Sequence, residues 1–325
     1  MEELRGFLKQ KGLKYDEGIE CSIVLREENR IIAAGSLDGR VLKCIAVDRD
    51  FQGAGAAARL VTELVAEAAR RGRHHLFIFT KPENEELFHG LGFFPIAKTG
   101  DTLLMENKKD GIKKFVKNIE ANTALLSGAR GHGNTGAVVV NCNPFSRGHR
   151  YLIETAAKQC AALYVLVVAE NKSAFSADAR MNMVIAGTAD LPNVFVRSTG
   201  PYLVSSVTFP DYFFKDTVSP EQVNTELDLA IFAEQFAGPL GIGVRFAGTE
   251  PFDPVTLQYN RQMAEILPRY RIDFVEIPRM ESGGSAISAG RIRKLLREGN
   301  LEAARELAPP TTVEYLCAVD WEREG

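Results

Sequence analysis

Apolar residues recur along this chain with two periods, and the alternation between them predicts most of the elements. Residues 22–26 and 30–37 alternate apolar and polar positions around the turn residues Glu27–Asn29, as paired strands do. A third strand follows at 41–47. Residues 57–71 instead place Leu60, Leu64 and Ala68 on one face at helical spacing. A strand at 75–80 and a short helix at 84–89 come next, closed by the turn at 90–92. Residues 106–122 are helix-compatible and carry Lys108, Lys109, Lys113, Lys114 and Lys117, a run best explained as a solvated face. The glycine-rich stretch 127–136 is a composition shift, and it predicts a boundary between a domain over 1–126 and another over 134–325.

The second part alternates strand and helix. Strands are predicted at 137–141, 162–169, 194–198, 244–247 and 273–277. Helices are predicted at 148–160, 176–189, 221–236, 259–267, 287–298 and 302–307. That alternation points to an α/β fold with a doubly wound parallel sheet, a type that binds ligands at the carboxyl ends of its strands.

Composition adds exclusions. With 325 residues the chain is long for one core, which agrees with two domains. A net charge of −3 gives no basic field for nucleic acid. Five scattered cysteines, Cys21, Cys44, Cys142, Cys160 and Cys317, form no CxxC pair and read as free thiols of a reducing compartment. The N-terminal residues are charged, without an apolar signal core, and no apolar run reaches the length of a membrane span. The expectation is a cytoplasmic protein with no membrane partner.

Two constellations carry chemistry. The first is Gln52-Gly53-Ala54-Gly55-Ala56-Ala57, between a strand ending near Val47 and a helix opening near Ala57. Small residues let a backbone approach a phosphate, and a helix N-terminus offers it unpaired N–H groups. The pattern, followed by the segment NEELFHGLGFF at 84–94, resembles the GCN5-related N-acetyltransferase (GNAT) superfamily over roughly residues 1–106. The resemblance implies a GNAT-like α/β domain holding a coenzyme A diphosphate through Gln52, Gly53, Gly55 and Ala57. A tight turn without a ligand is the alternative. Glu85, Glu86 and His89 offer no clear general base.

The second constellation is Asn143-Pro144-Phe145-Ser146-Arg147-Gly148-His149, leaving an apolar strand and entering a helix. Pro144 stiffens the turn, Gly148 permits close approach, and His149 stands in the first helical turn, where anions are favoured. It resembles the H/T-x-G-H motif of a nucleotidyltransferase superfamily, with Ser146 in place of the usual His or Thr. The late partner motif of that superfamily is matched by Ile287-Ser288-Ala289-Gly290-Arg291-Ile292-Arg293, where Gly290 replaces a hydroxyl residue and Arg291 could compensate. Ser288 would cap a helix and donate to phosphate, and Arg293 would reach the β- and γ-phosphates of ATP.

An acetyltransferase-like domain joined to this nucleotidyltransferase resembles the citrate lyase ligase family over nearly the whole chain. The segments AENKSAFSADAR (169–180), SSVTFPDYFFKD (205–216) and GTEPFDPVTLQYNRQM (248–263) share in the likeness. The resemblance implies a reaction. ATP and acetate would give acetyl adenylate and pyrophosphate. The acetyl group would then pass to the thiol of the phosphoribosyl-dephospho-coenzyme A group on the citrate lyase acyl carrier subunit. Acetate is already a nucleophile, so His149, Ser146, Ser288 and Arg293 would suffice at the phosphate end, with Mg²⁺ neutralising pyrophosphate. Lys172 and Arg180 follow the second strand of this domain and could bind phosphate or carboxylate, or be plain loop and helix-surface charges. Thr208, Phe209, Pro210 and Tyr212 could line an acetate pocket or pack in a core. Glu250 and Asp253 flank a proline turn and could contact metal or ribose, or cap that turn. An adenylyltransferase that leaves AMP on its product, and an acyl-CoA-binding protein with a nucleotide-sensing half, are the competing readings.

Overall fold

The computed structural model describes residues 1–15, 18–53, 55–127, 134–169, 174–204, 220–250 and 254–318. In chain order its elements begin with α1 (Glu2–Gln10), β1 (Cys21–Glu27), β2 (Arg30–Asp38), β3 (Val41–Val47), α2 (Ala56–Arg70), β4 (Phe77–Thr80), α3 (Glu85–Gly90), β5 (Phe94–Lys98), β6 (Leu103–Glu106) and α4 (Gly111–Ser127). They continue with β7 (Thr135–Val140), α5 (Arg147–Ala157), β8 (Ala162–Val167), α6 (Ala177–Thr188), β9 (Val194–Ser198), α7 (Pro220–Ile231), a π-helical segment (Phe232–Ala237), α8 (Gly238–Leu240) and β10 (Ile242–Gly248). Last come α9 (Pro254–Ile266), β11 (Asp273–Ile277), β12 (Glu281–Ser282), β13 (Ser285–Ala286), α10 (Ala289–Arg297), α11 (Leu301–Leu307) and α12 (Pro310–Ala318). The chain packs as two units, Met1–Lys114 with Ser206–Ile231 and Phe115–Ser205 with Phe232–Gly325.

The first unit is a six-stranded sheet ordered β1-β2-β3-β4-β6-β5. Its core is built by α2, whose Leu60, Val61, Leu64 and Ala68 are buried at helical spacing against β2. Gly35 of β2 makes that approach possible, since a Cβ there would meet Leu64 at 2.8 Å. The single parallel pairing, β3 with β4, holds over Val41–Phe77 and Leu42–Ile78. Glu106 ends β6, opposite Phe77, and does not begin a helix as the lysine-rich pattern predicts. Its carboxylate accepts the Ile112 N–H at 2.8 Å and so serves the first turn of α4 from outside. Helix α7 packs with this unit, against β5, although its sequence neighbours belong to the other. A helix joins the sheet that covers its apolar face, which sequence order does not disclose.

The second unit is a fully parallel five-stranded sheet, ordered β11-β10-β7-β8-β9. Val138 is aligned with Val165 on one side and Phe246 on the other, and all three are buried. From β7 the chain builds outward through β8 and β9, then returns to β10 on the other side of β7 and finishes at β11. The order therefore reverses beside β7, and the loops leaving β7 and β10 diverge from the same sheet edge, where such folds form a crevice. The mixed α/β architecture agrees with expectation: strand–helix alternation predicts the doubly wound parallel sheet, and the motif resemblance implies the GNAT-like sheet before it.

Helix α6 packs beside β9 and comes very close to the loop after β7. A Cβ on its Gly187 would lie inside the van der Waals envelope of the fully buried Phe145 ring. In an exposed helix Gly→Ala gains about 1 kcal/mol from propensity. Overpacking a rigid aromatic ring typically costs about 1–3 kcal/mol. The second effect is the larger, so Gly187→Ala should destabilise the protein, and a rise in its urea unfolding midpoint would contradict this packing.

Candidate functional site

The loop after β7 turns through Asn143-Pro144, whose peptide bond is cis, and enters α5 at Ser146. Ser146 is the N-cap, and its Oγ accepts the His149 N–H at 3.3 Å. In return the Ser146 N–H donates to His149 Nδ1 at 3.1 Å, and Ser146 Oγ lies 2.9 Å from the same nitrogen. This is a capping box with histidine in the place of the usual Glu or Gln. It makes Nδ1 an acceptor and leaves the ring proton on Nε2. Burial and the nearby Arg279 cation push the His149 pKa down to about 4, so the ring is neutral at physiological pH. The geometry makes the imidazole a neutral donor through Nε2.

Gly148 is where the two motifs meet. A Cβ there would lie 2.9 Å from the Ile287 carbonyl oxygen, a backbone atom that cannot swing away. Ile287 immediately precedes Ser288, the N-cap of α10, whose Oγ accepts the Arg291 N–H at 3.2 Å. From the second turn of α10, Arg293 Nη1 donates to the Asn143 carbonyl. Burial, and after it the neighbouring Arg297, disfavour the Arg293 charge, but a guanidinium stays protonated. Asn143 Oδ1 accepts the Phe175 N–H at 3.1 Å. Two helix N-termini are thus brought together from sequence positions far apart.

The other candidates take varied places. Phe145 is fully buried and stacks beside the His149 ring, centroids 6.1 Å apart, so it supports the imidazole from the core and offers no surface to a nucleotide. Arg180 is neither a surface charge nor open to the crevice. It is fully buried, with Nε 3.1 Å from the Phe175 carbonyl and Nη1 2.7 Å from the Val168 carbonyl and 3.0 Å from that of Asn141. Arg291 is exposed. Glu250 is buried and ion-paired with Arg279. Lys172, Asp253, Thr208, Phe209, Pro210 and Tyr212 lie outside the described residues. In the first unit, Gly53 and Gly55 adopt positive φ, 83° and 77°, with no atom within 4 Å of a Cβ at either, and Gly55 is the N-cap of α2. Gln52 is exposed and Ala57 half-buried on the same turn.

Arg279, which the sequence reading passes over, follows β11 and borders a cavity of about 410 Å³ together with Glu250, Glu281, Ser285, Ala286 and Ser288. Its only local signal is position, a Pro-Arg step just past the carboxyl end of a parallel strand. Another cavity, about 320 Å³, lies by Leu4, Tyr15 and Cys21 in the first unit and includes no residue of either phosphate motif. Among the described residues no group of three His, Cys, Asp or Glu side chains is arranged to hold a metal, and no helix is long and apolar enough to cross a membrane.

Comparison with known proteins agrees with both halves of this picture. Residues 135–316 match the citrate lyase ligase C-terminal domain family, and residues 2–102 match the acetyltransferase (GNAT) domain family. A citrate (pro-3S)-lyase ligase of Klebsiella pneumoniae is 39% identical, covering 97% of this chain and 92% of that protein. One from Haemophilus influenzae is 40% identical, covering 96% and 94%. Among solved structures, Thermotoga maritima TmcAL bound with alpha-thio ATP has a TM-score of 0.39 at 18% identity, covering 59% of this chain and 57% of that one.

The electrostatics of His149 make a direct prediction. Its folded pKa is depressed from an ordinary value of 6.5 to about 4. Between those values the unfolded chain binds a proton that the folded chain refuses. The stability this group contributes is therefore complete above about pH 6.5 and is lost as pH falls through about 4. Nitrogen NMR of the imidazole should show a neutral ring protonated at Nε2 at pH 6. A cationic signal at that pH would contradict the assigned hydrogen bonds.

Proposed function

The chain belongs to the citrate lyase ligase family, and from that premise we propose that it activates acetate with ATP and passes the acetyl group to the prosthetic-group thiol of the citrate lyase acyl carrier subunit. A carboxylate oxygen of acetate attacks the α-phosphorus of ATP. The bond from that phosphorus to the pyrophosphate oxygen breaks, and its electron pair leaves with pyrophosphate. The carrier thiol then attacks the acetyl carbonyl carbon, losing its proton, and AMP departs with the electrons of the acyl–oxygen bond.

The observation that carries this reading is the junction of the two motifs, Gly148 against the Ile287 carbonyl and Arg293 bonded to Asn143. It presents the N-termini of α5 and α10 to one place, as a polyphosphate requires. His149 donates Nε2–H to the α-phosphate, where negative charge grows in the transition state. Being neutral, it gains strength there without having to lose or take a proton. Ser288 and Arg293 act on the β- and γ-phosphates, with Arg291 on the exposed rim. Ser146 is occupied with the imidazole, so its part is to orient His149. Asn143, Pro144, Gly148 and Phe145 shape the turn and support the ring. Mg²⁺ bound with the nucleotide would supply positive charge that neutralises the departing pyrophosphate. Because the carboxylate is already ionised, its attack on phosphorus needs no general base.

The GNAT-like domain is proposed to bind the diphosphate of the carrier's prosthetic group at Gln52, Gly53, Gly55 and Ala57. Two glycines of positive φ ahead of a helix N-terminus leave the backbone open to such a group. A cytoplasmic location belongs to the same proposal, and the cysteines, all free, fit a reducing compartment.

His149→Ala should lower acetate-dependent pyrophosphate release by about a hundredfold or more with the fold retained. A rate within a few-fold of wild type would remove His149 from the mechanism. Arg293→Lys should not restore full activity, because a point charge cannot both hold the Asn143 carbonyl and reach phosphate. Gly55→Glu should spare pyrophosphate release and block acetyl transfer to the carrier. Normal carrier acetylation by that variant would assign the GNAT-like domain another purpose.

A further inference from the structure

Arg279 belongs to neither phosphate motif, yet it is the most constrained cation at the crevice. Its backbone N–H donates to Thr249 Oγ1 at 3.2 Å, its Nε to the Thr249 carbonyl at 2.6 Å, and its Nη2 to Glu250. The loop leaving β10 therefore grips one edge of the guanidinium. Nη1 has no protein acceptor among the described residues, and the side chain borders the cavity of about 410 Å³. The cavity sits beside the phosphate donors. Ile287 N–H bonds to the carbonyl of Met280 at 3.0 Å, so the residue after Arg279 is tied to the segment that faces Gly148. The same cation is near enough to depress the pKa of His149.

This geometry resembles a receptor more than a structural ion pair. A guanidinium fixed on one edge has already lost the side-chain freedom that anion binding would otherwise cost, and it presents the other edge ready to donate. Glu250 is buried and ion-paired with Arg279, which it holds on the cavity wall that both residues line. Ser288 also lines this cavity, so it adjoins the proposed triphosphate site, and two features favour a small anion at Arg279. The helix N-termini with His149, Ser288 and Arg293 already serve phosphate. Glu281 on the cavity wall repels a polyanion while leaving room for a single small charge. The rest of the wall is small, with Gly284, Ser285, Ala286 and Ser288. We propose that Arg279, held by Glu250 and Thr249, is the receptor for the carboxylate of the acid that is adenylated. It would hold that carboxylate beside the α-phosphate and offset the repulsion between the two anions.

The inference rests on the ligase reading, and the two can fail separately. In the full-length protein, Arg279→Met should raise KM for acetate about 10–100-fold, as loss of a charge-assisted bond does. The dissociation constant for ATP, measured by calorimetry without acetate, should stay within about twofold. Because Arg279→Met removes the cation facing the buried Glu250 carboxylate, the double variant Arg279→Met/Glu250→Gln removes that charge as well and should show the same acetate defect in a folded protein. Glu250→Gln alone should give a smaller rise in KM, since the receptor is present but loosened. An unchanged KM for acetate in the folded double variant overturns the proposal. So does a fall in ATP affinity as large as that for acetate, which would assign Arg279 to phosphate. A wild-type protein that releases no pyrophosphate with acetate overturns the ligase reading, and this inference with it.

Discussion

Two backbones touch at Gly148, and everything proposed for the catalytic unit hangs on that contact. The first turn of α5 lies so close to the Ile287 carbonyl that any Cβ would force them apart. A clash with backbone is costly because neither partner has a rotamer to escape into. With glycine in place, the N-cap of α10 comes within reach of the loop after β7, and Arg293 closes the gap onto Asn143. The proposed phosphate donors are thus aligned by the protein's own packing, which is the condition for strong electrostatic stabilisation.

The charges around this contact are arranged to stay fixed. Among the described residues the cations at the crevice are arginines, which do not titrate in the physiological range. The histidine is held neutral by its surroundings and by the capping box with Ser146. The acid that could have faced a ligand, Glu250, is matched to Arg279 instead. A reaction between two anions that needs no proton transfer at its first step suits such a site. Its requirement is positive charge in defined directions, and a titrating group would make that charge depend on pH.

Much of this was legible in the chain because it is local. Strand and helix periods located β3, β9 and β11 to the residue, and the turn chemistry of NPFSRGH and ISAGRIR marked both helix entries. Local pattern does not reveal which distant carbonyl a side chain will meet. Arg180 read as a phosphate or carboxylate ligand or a helix-surface charge because nothing in its own segment announces three carbonyls contributed by residues just past β7, just past β8 and just before α6. Phe145 read as part of a binding turn, while its neighbour Gly187 lies 42 residues later and decides that the ring is core. Arg279 carried no glycine or hydroxyl signature. Its importance comes from Glu250 and Thr249 on the adjacent strand's loop, a pairing fixed by sheet order and not by sequence. Helix α1 was missed for a different reason. Its apolar positions, Leu4, Phe7 and Leu8, are too few in nine residues to stand out from a charged N-terminus.

Arg180 has a further consequence. A guanidinium without solvent access cannot be uncovered by half measures. Separating the loop after β7 from the end of β8 would leave a permanent charge facing apolar walls with its carbonyl partners withdrawn. Fluctuations that expose one of these segments must then expose the others as well, so the floor beneath the phosphate donors opens as a single cooperative unit. Amides around it should be among the slowest in this unit to exchange with solvent, whatever movement the loops above them allow.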